Sequence, residues 1–445
     1  MAAGWRSGIL QNFWDAARTA LAWNNQKMQN SRILIVGGGV VGLCTAYYAR
    51  QQGHPVTVVE RGAPEDECCS FGNAGFIVPS HCVPLAAPGM VAKGLRMMLN
   101  PESPFYLRLR WDRDLWRWSW LFYRAANAAH VAACAPLLRD LHLASRRLFD
   151  ELADLTGNEF GLTPRGLLVL CRSAPGLREE RETAELVRKL GLQVEVLTPE
   201  EAKRLEPNFQ MNIAGAVYYP QDGHLVPERF MATLRRLAAD RGVQLSFSTE
   251  VSGWRIDHHR VMAVQTNRGD ISADEFVIAG GSWSGRLTGQ LGLRLPLQAG
   301  KGYHLTLPRA KTKPTRSVLL AEARVAVTPM GQRLRFAGTM EIGGLDLSLN
   351  PRRIHGMLKS IGQYLPEFGP DDFREGQRWC GLRPCSPDGL PYVGRFARYA
   401  NLSVAAGHAM MGLSLGPITG QLMAQVLSGE TPAIALERLN PDRYG

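Results

Sequence analysis

The sequence predicts an α/β protein of two interleaved lobes: a discontinuous Rossmann-like lobe, and an α+β lobe built on an antiparallel sheet and inserted into it. Three observations carry this expectation. A glycine run, Gly37-Gly38-Gly39-Val40-Val41-Gly42, joins a short apolar stretch to a helical pattern near the start of the chain. A second glycine-rich region, from Gly381 through Gly394 and again from Gly407 to Gly420, stands near the end. Between them, helical periodicity gives way to alternating residues and turns, then returns. A chain of 445 residues exceeds one minimal domain, and an apolar share of 45% leaves material for a large core.

The first elements are a buried strand at 32–36, a helix at 40–52 and a second strand at 54–60 carrying Val56, Val58 and Val59. A βαβ unit of about thirty residues is the setting in which a dinucleotide fingerprint has meaning. Residues 61–105 hold many Gly, Pro, Cys and Ser, which predicts an ordered loop region against a ligand. Helical spacing resumes at 106–130 and at 135–156, where Leu137, Leu138, Leu141, Leu148, Phe149 and Leu152 recur at three and four residues. Thr198-Pro199-Glu200-Glu201 reads as a capping box with proline at the first helical position. Strands are expected at 216–219, 243–249 and 276–279, a helix at 227–240, and a hairpin of 260–267 with 270–272 about Arg268-Gly269. Alternation and turns over 297–340 predict the antiparallel sheet, and 351–365 a helix. Domain boundaries follow: an N-terminal extension at 1–27, a nucleotide-binding domain from 28–85, 216–290 and 375–445, and a substrate domain from 86–215 and 291–374.

Composition narrows the function. Lysine and arginine total 51 against 40 acidic residues, a formal charge of +11. No run of five basic residues and no nucleic-acid motif accompanies that surplus. Nucleic acid is therefore not expected as a partner, and anionic substrates or an anionic membrane surface remain. The eight cysteines lack a CxxC pair and the regular spacing of a secreted disulfide scaffold. No metal site is expected, and a cytoplasmic setting fits. The N-terminus has no consecutive apolar run of the secretory type. Ile9, Leu10, Phe13, Trp14, Ala17 and Leu21 recur instead at helical spacing. An interfacial helix, with peripheral contact on the inner face of the cell membrane, and a start at Met28 are both open readings. Residues 399–429 carry no acidic residue, lysine or arginine, but glycine and polar residues punctuate them, so a strand, a turn and a core helix are expected rather than a membrane span.

Each fingerprint glycine has a physical task. Gly37 permits the tight turn out of the strand, Gly39 lets backbone approach a pyrophosphate, and Gly42 allows close helix–strand packing. The helix beginning at Val40 and Val41 aims its free N–H groups and positive dipole end at phosphates. Glu60, 21 residues beyond Gly39, would accept from ribose hydroxyls and repel a 2′-phosphate, which disfavours NADP. FAD and NAD share this half of a site. Only one fingerprint is present, and the small residues of Ser70-Phe71-Gly72-Asn73-Ala74-Gly75 would let backbone amides reach a flavin, which favours FAD. The segment from Gly407 to Gly412 precedes a helix running to about Leu427, and a helix N-terminus there would stabilise the negative charge of a reduced flavin.

These segments fall in one order with Lys301-Gly302-Tyr303, Gly381-Leu382-Arg383-Pro384, Ser386-Pro387-Asp388-Gly389 and Gly407-His408. On them the chain resembles the D-amino-acid-oxidase-like (DAO) flavoprotein family, and within it the bacterial D-amino acid dehydrogenases of the small-subunit type. The resemblance runs from about Met28 to Arg443-Tyr444; Met410-Met411 depart from the Gly-Thr often seen there in the dehydrogenases. It implies FAD-dependent oxidation of D-amino acids to 2-oxo acids and ammonia, hydride passing from Cα to flavin N5 and electrons onward to a quinone or another acceptor than oxygen. An oxygen-using oxidase of glycine, sarcosine or D-amino acids, a D-proline or hydroxyproline dehydrogenase, and a non-catalytic flavin-binding chain remain open. Cofactor contacts are expected from Gly37, Gly39, Val40, Val41, Gly42, Glu60 and Arg61, from Ser70, Asn73, Ala74 and Gly75, and from Val251 and Gly280. The late motifs would add Gly381, Arg383, Gly407, His408, Gly412 and Leu413.

For the substrate, Arg383 is the leading residue, because a planar guanidinium holds a carboxylate bidentately. Its alternative is a structural pair with Asp388. Tyr303 and His304 adjoin on one strand and so face opposite ways; one of them lines the substrate pocket, Tyr303 being favoured. His408 reads as a helix-start residue beside the flavin. No side chain is assigned as a catalytic base, since a neutral amine can lose hydride directly to the flavin. Trp111, Trp116, Trp118 and Trp120 among Arg108, Arg110, Arg113 and Arg117 suit a membrane interface and a quinone reductase, or else a packed helix.

Overall fold

Strand β1 (Ile33–Val36), helix α1 (Val40–Gln51) and strand β2 (Val56–Val59) form the expected βαβ unit. The computed structural model describes residues 30–66 and 68–445. The amphipathic pattern of residues 1–27 lies outside them. All four residues of β1 are buried, because it has parallel partners on both sides, β2 and Glu275–Ile278. The full sheet has six strands in the order Tyr392–Arg395, Leu402–Ala406, Glu275–Ile278, β1, β2, Gln244–Ser246. Distant parts of the chain thus converge on one sheet, as the glycine-rich ends foretold. A three-stranded antiparallel sheet (Val251–Asp257, Arg260–Thr266 and Gly269–Ser272) carries the hairpin expected about Gly269.

The inserted lobe is built on a nine-stranded, largely antiparallel sheet. Gln377–Cys385 lies at one edge, followed by Gln298–Leu307, Arg333–Ile342, Val325–Met330 and Ser317–Leu320. Leu167–Cys171, Gly215–Tyr219 and Glu195–Leu197 complete that path, and Phe105–Leu107 pairs with Arg333–Ile342. Two segments sit differently from the sequence expectation. Residues 216–219 and 377–385, assigned to the nucleotide lobe by chain position, both belong to this second sheet. Strand pairing is non-local, and an apolar strand does not name its partner.

The helix expected over 106–130 is also divided. After the short strand Phe105–Leu107, a helix runs Arg113–Ala125, capped by Asp112, whose side chain accepts from the Asp114 and Leu115 amides. A second helix, Ala128–Thr156, starts from its own cap at Asn127. The Thr198–Glu201 capping box is present as read.

The two ends of the chain meet helix against helix. A Cβ at Gly420 would stand 2.4 Å from the Cys44 carbonyl carbon, and one at Gly416 would stand 2.9 Å from Val40 Cγ2. The C-terminus is fastened by Arg443, whose Nε and Nη2 donate to the Asp388 carboxylate at 2.8 and 3.0 Å. The guanidinium also lies 3.8 Å over the Tyr392 ring. Burial alone would raise the Asp388 pKa, but the Arg443 charge and hydrogen bonds outweigh it and hold the carboxyl below the usual range. The two side chains are only 12% and 9% exposed, so Arg443→Ala leaves a buried carboxylate unpaired. We expect a loss of about 3–5 kcal/mol at neutral pH. A depressed folded-state pKa gives stability that is present above the unfolded carboxylate value and lost as pH falls through the folded one. The gap between wild type and variant in thermal melts should therefore shrink below roughly pH 4.

Candidate active site

Between the two sheets lies a cavity of about 1730 Å³. Small-molecule pockets are commonly ~300–1,000 Å³, so this one has room for a large cofactor and a substrate together. At one end stands the fingerprint. Gly37 has φ +118°, and a Cβ there would be 2.4 Å from the Ala279 carbonyl oxygen; at Gly42 it would be 1.9 Å from the Gly37 oxygen. Those two glycines are demanded by the backbone itself. Gly39 is different: a Cβ there would meet nothing nearer than Ser70 Oγ at 3.6 Å. The space beside it is cavity, and Gly39 begins α1 without a side-chain cap. An anionic ligand fits that opening.

Glu60 faces the same end. Its Oε2 accepts from the Gly38 amide at 2.7 Å and its Oε1 from the Gly62 amide at 3.0 Å. Each oxygen keeps a further lone pair for a ribose hydroxyl. The Arg61 guanidinium lies 3.7 Å over the Trp283 ring, and both line the cavity. Val40, Val41, Val251 and Gly280 are also on its wall. This donor set fits the adenosine-diphosphate half of an FAD.

The Ser70–Gly75 segment is held in place from the other lobe. Ser70 Oγ accepts from the Val40 amide at 3.1 Å, joining the loop to the fingerprint helix. Four successive carbonyls then receive donors from the substrate sheet. Arg335 donates to Phe71 and Asn73 oxygens, His304 Nδ1–H to the Gly72 oxygen, and Thr328 Oγ1 to the Ala74 oxygen. Ser70, Asn73 and Ala74 are thereby presented to the cavity. Gly75 is not on the cavity wall. Its φ of +86° and the hydrogen bond its carbonyl accepts from the Leu225 amide turn the chain into the Phe76–Ile77 strand.

Near the C-terminus, Gly407 packs on the Tyr392 ring, which a Cβ would approach to 2.8 Å, and stands off the cavity wall. His408 does line the cavity, but it is buried, with Nε2 2.9 Å from Thr419 Oγ1, and burial pushes its pKa down to about 3. A 3₁₀ turn at Ala409–Met411 follows, and the helix itself begins only at Gly416. Gly416 and Gly420 are committed to packing on α1. The backbone from Ala409 to Leu413, including Gly412, therefore meets the cavity in place of the expected helix N-terminus.

Arg383 and Gly302 make the centre of the site. Their strands pair in register, Gly302 opposite Gly381 and Gly300 opposite Arg383. The Arg383 side chain crosses the Gly302 backbone so closely that a Cβ would fall 2.1 Å from Nη2. Its Nη1 donates to the Thr339 carbonyl at 2.7 Å, where the chain takes a strained φ of +63°. Asp388, the alternative partner, is engaged by Arg443. Among the described residues Arg383 has no ion-pair partner, and burial lowers its pKa. A desolvated guanidinium with free donors, facing a cavity, suits a carboxylate.

Tyr303 also lines the cavity, with its hydroxyl donating to Glu341 Oε2 at 2.9 Å; burial, then Glu341, raises its pKa. His304 points to the opposite side and is not on the wall. It stacks on Trp379 at 5.0 Å, and burial, with the nearby Arg335, lowers its pKa to about 4. Sequence reading missed Trp379, whose indole crosses both Gly72 and Gly381, at 2.4 and 2.1 Å from a built Cβ. Its signal was available: a bulky aromatic two residues before a motif glycine.

The family profile for FAD dependent oxidoreductases (DAO) matches residues 32–426. A D-amino acid dehydrogenase of Granulibacter bethesdensis is 34% identical over 93% of this chain and 99% of its own length. A D-amino acid dehydrogenase of Bradyrhizobium diazoefficiens is 33% identical, again over 93% and 99%. Among solved structures, glycine oxidase from Geobacillus kaustophilus superposes with a TM-score of 0.74 at 26% identity, covering 93% of this chain and 99% of that one.

One buried acid supports the cavity wall. Asp222 accepts from the Ser80 amide at 3.0 Å and from Ser80 Oγ at 2.5 Å, while Ser80 lines the cavity. Burial raises its pKa to about 7 in spite of those bonds. A raised folded-state pKa gives stability that is complete below the unfolded value and lost as pH rises through the folded one. Asp222→Asn keeps one acceptor oxygen for the Ser80 amide, puts an N–H donor opposite the Ser80 hydroxyl, which can turn to accept it, and removes the titration. Across about pH 4 to pH 8 the variant should gain on the order of 4 kcal/mol relative to wild type. Parallel thermal melts of the two proteins over that range measure it, and a constant difference would refute the assignment.

Proposed function

The chain belongs to the DAO family of FAD-dependent oxidoreductases, and from that premise we propose that it oxidises D-amino acids to 2-oxo acids and ammonia and delivers the electrons to a quinone. The observation that carries the substrate reading is Arg383, half-buried on the cavity wall with no carboxylate paired to it among the described residues. The relatives at 33–34% identity, named for D-amino acids, agree with it.

FAD supplies the hydride acceptor at its N5. Gly37, Gly39, Glu60, Arg61, Ser70, Asn73 and Ala74 are the residues that would hold it. Arg383 then binds the substrate carboxylate through two N–H groups, with Thr339 fixing the guanidinium from behind. Tyr303, tied to Glu341, is a wall of the substrate space rather than a proton carrier. His304 and His408 are both kept neutral and bonded elsewhere, to the Gly72 carbonyl and beside Thr419. The amine therefore loses its proton before the chemical step, and the protein's work is alignment and exclusion of water.

A quinone acceptor implies a peripheral meeting with the inner membrane face. No helix among the described residues is long and apolar enough to cross a membrane. Oxygen is the second reading for the acceptor, favoured by the likeness to a glycine oxidase. Re-oxidation of the anaerobically reduced protein by air against a soluble quinone separates the two.

Arg383→Ala should retain FAD absorbance and lose about 2–5 kcal/mol of transition-state stabilisation in kcat/KM. Arg383→Lys should recover only part, since an ammonium cannot reproduce the planar fork. Anaerobic bleaching of the flavin by a panel of D- and L-amino acids is the measurement. Unchanged constants in the alanine variant would sink the assignment. In the wild type, kcat/KM should rise with pH along the ionisation of the substrate amine itself, shifting when the substrate is changed.

A further inference from the structure

We propose that the face built from residues 95–123 and 345–349 docks on an anionic lipid bilayer, which deepens the quinone reading above by naming the surface through which the acceptor's membrane is met. The helix Arg113–Ala125 has two apolar sides. Leu115 and Trp118 are buried, as the core side of an amphipathic helix should be. The other side, at spacings of four and three, carries Trp116, Trp120 and Tyr123, and the last two rings stack at 5.9 Å. Together with Leu95, Leu99 and Trp111 these side chains are between 51% and 100% exposed. Leu345, Leu347 and Leu349 extend the crest at 42–50%.

The segments are neighbours in space. Phe105–Leu107 pairs with Met340–Ile342, so the loop after Ile342 leaves from beside the loop that carries Leu109 and Trp111. At ~150–250 Å² for each aromatic side chain, the tryptophans alone approach the ~300–600 Å² of the largest apolar patch on an ordinary monomer.

Charge identifies the occupant. Residues 90–125 hold seven basic side chains, Lys93 and six arginines, against Glu102, Asp112 and Asp114. Arg96, Arg108, Arg113 and Arg124 are exposed and make no ion pair among the described residues. Tryptophan and arginine together are the composition of a membrane interface, where an apolar body enters and a polar edge stays among headgroups. Basic residues near such a surface are drawn to anionic lipid within a Debye length. The helix Met90–Met98, no residue of which is buried, and Trp118, Phe122 and Tyr123 also line the cavity. The crest is thus the outer side of the cavity's own wall, and docking would bring the site's mouth to the lipid phase.

The test uses the full-length, flavin-loaded chain and vesicles of phosphatidylglycerol with phosphatidylcholine, against vesicles of phosphatidylcholine alone. The wild type should float with the anionic vesicles and be released by salt. Trp111→Ser/Trp116→Ser/Trp120→Ser should lower partition by about tenfold or more, and Arg108→Gln/Arg113→Gln/Arg124→Gln, all off the cavity wall, should remove the salt dependence. Both should keep flavin absorbance and dye-coupled turnover. The arginine variant alters only exposed side chains, so it decides the matter even where the tryptophan variant folds poorly. Wild type that stays in solution, or variants that float as it does, would overturn the proposal. So would a wild-type dimer that the tryptophan changes convert to monomer without vesicles, because a second copy would then cover the face. Floating without turnover of D-amino acids would refute the reaction while leaving the docking intact.

Discussion

The half-buried guanidinium of Arg383, crossing the backbone of Gly302 and opening on the cavity, is the constraint around which the site is arranged. A cation partly withdrawn from water and left without a counter-ion is costly, and the cost is tolerated only where something returns that energy. Part of the return is internal. The strand carrying Arg383 is paired with Gln298–Leu307 along its whole length, and on the other side of that strand the register slips between Lys301 and Tyr303. The slip places Thr339 in a left-handed conformation and turns its carbonyl onto Nη1. Strain has been concentrated beside the cation, and in the proposed function a substrate carboxylate would supply what the protein withholds.

The same sheet governs the cofactor loop. Because Arg335, His304 and Thr328 take the carbonyls of residues 71–74, the position of Ser70–Ala74 over the cavity is set by the substrate lobe and not by the fingerprint alone. Trp379 completes the coupling by lying against Gly72, Gly381 and His304 at once. Gly72 and Gly381 are glycines because an indole needs the space. The two lobes therefore fix one relative placement of nucleotide end and carboxylate clamp, and hydride transfer depends on that distance and angle.

What could be read from the chain follows from how local each feature is. The β1–α1–β2 unit was legible within two residues at most boundaries, since buried strands and a glycine turn announce themselves in sequence. The place of Arg383 on the cavity wall was legible because its motif is short and chemically specific. Residues 216–219 and 377–385 were grouped with the nucleotide lobe by chain position but pair into the second sheet, because a strand's partner is decided by the rest of the sheet. His304 was a candidate substrate contact, and strand alternation left its face unsettled; packing on Trp379 turned it away from the cavity. Gly75 and Gly407 looked like cofactor glycines, yet a neighbouring carbonyl and a tyrosine ring account for them. Glycine records close approach without recording to what.

The state of the histidines bears on the proposed chemistry. His81 and His408 on the cavity wall, and His304 behind it, have all been driven well below neutrality by burial. Each has a ring nitrogen committed to a neighbour: Ser80, Thr419 and the Gly72 carbonyl respectively. A zwitterionic amino acid would bring an ammonium into a space that already holds a fixed guanidinium. In a medium less polar than water, that like-charge repulsion lowers the amine's proton affinity, while the carboxylate remains attracted. On the proposed reading the Arg383 charge would do two things: anchor one end of the substrate and favour the neutral form of the other. Hydride loss from the adjoining Cα needs that lone pair, so in the proposed reaction the residue that would bind the substrate would also prepare it, without a separate base.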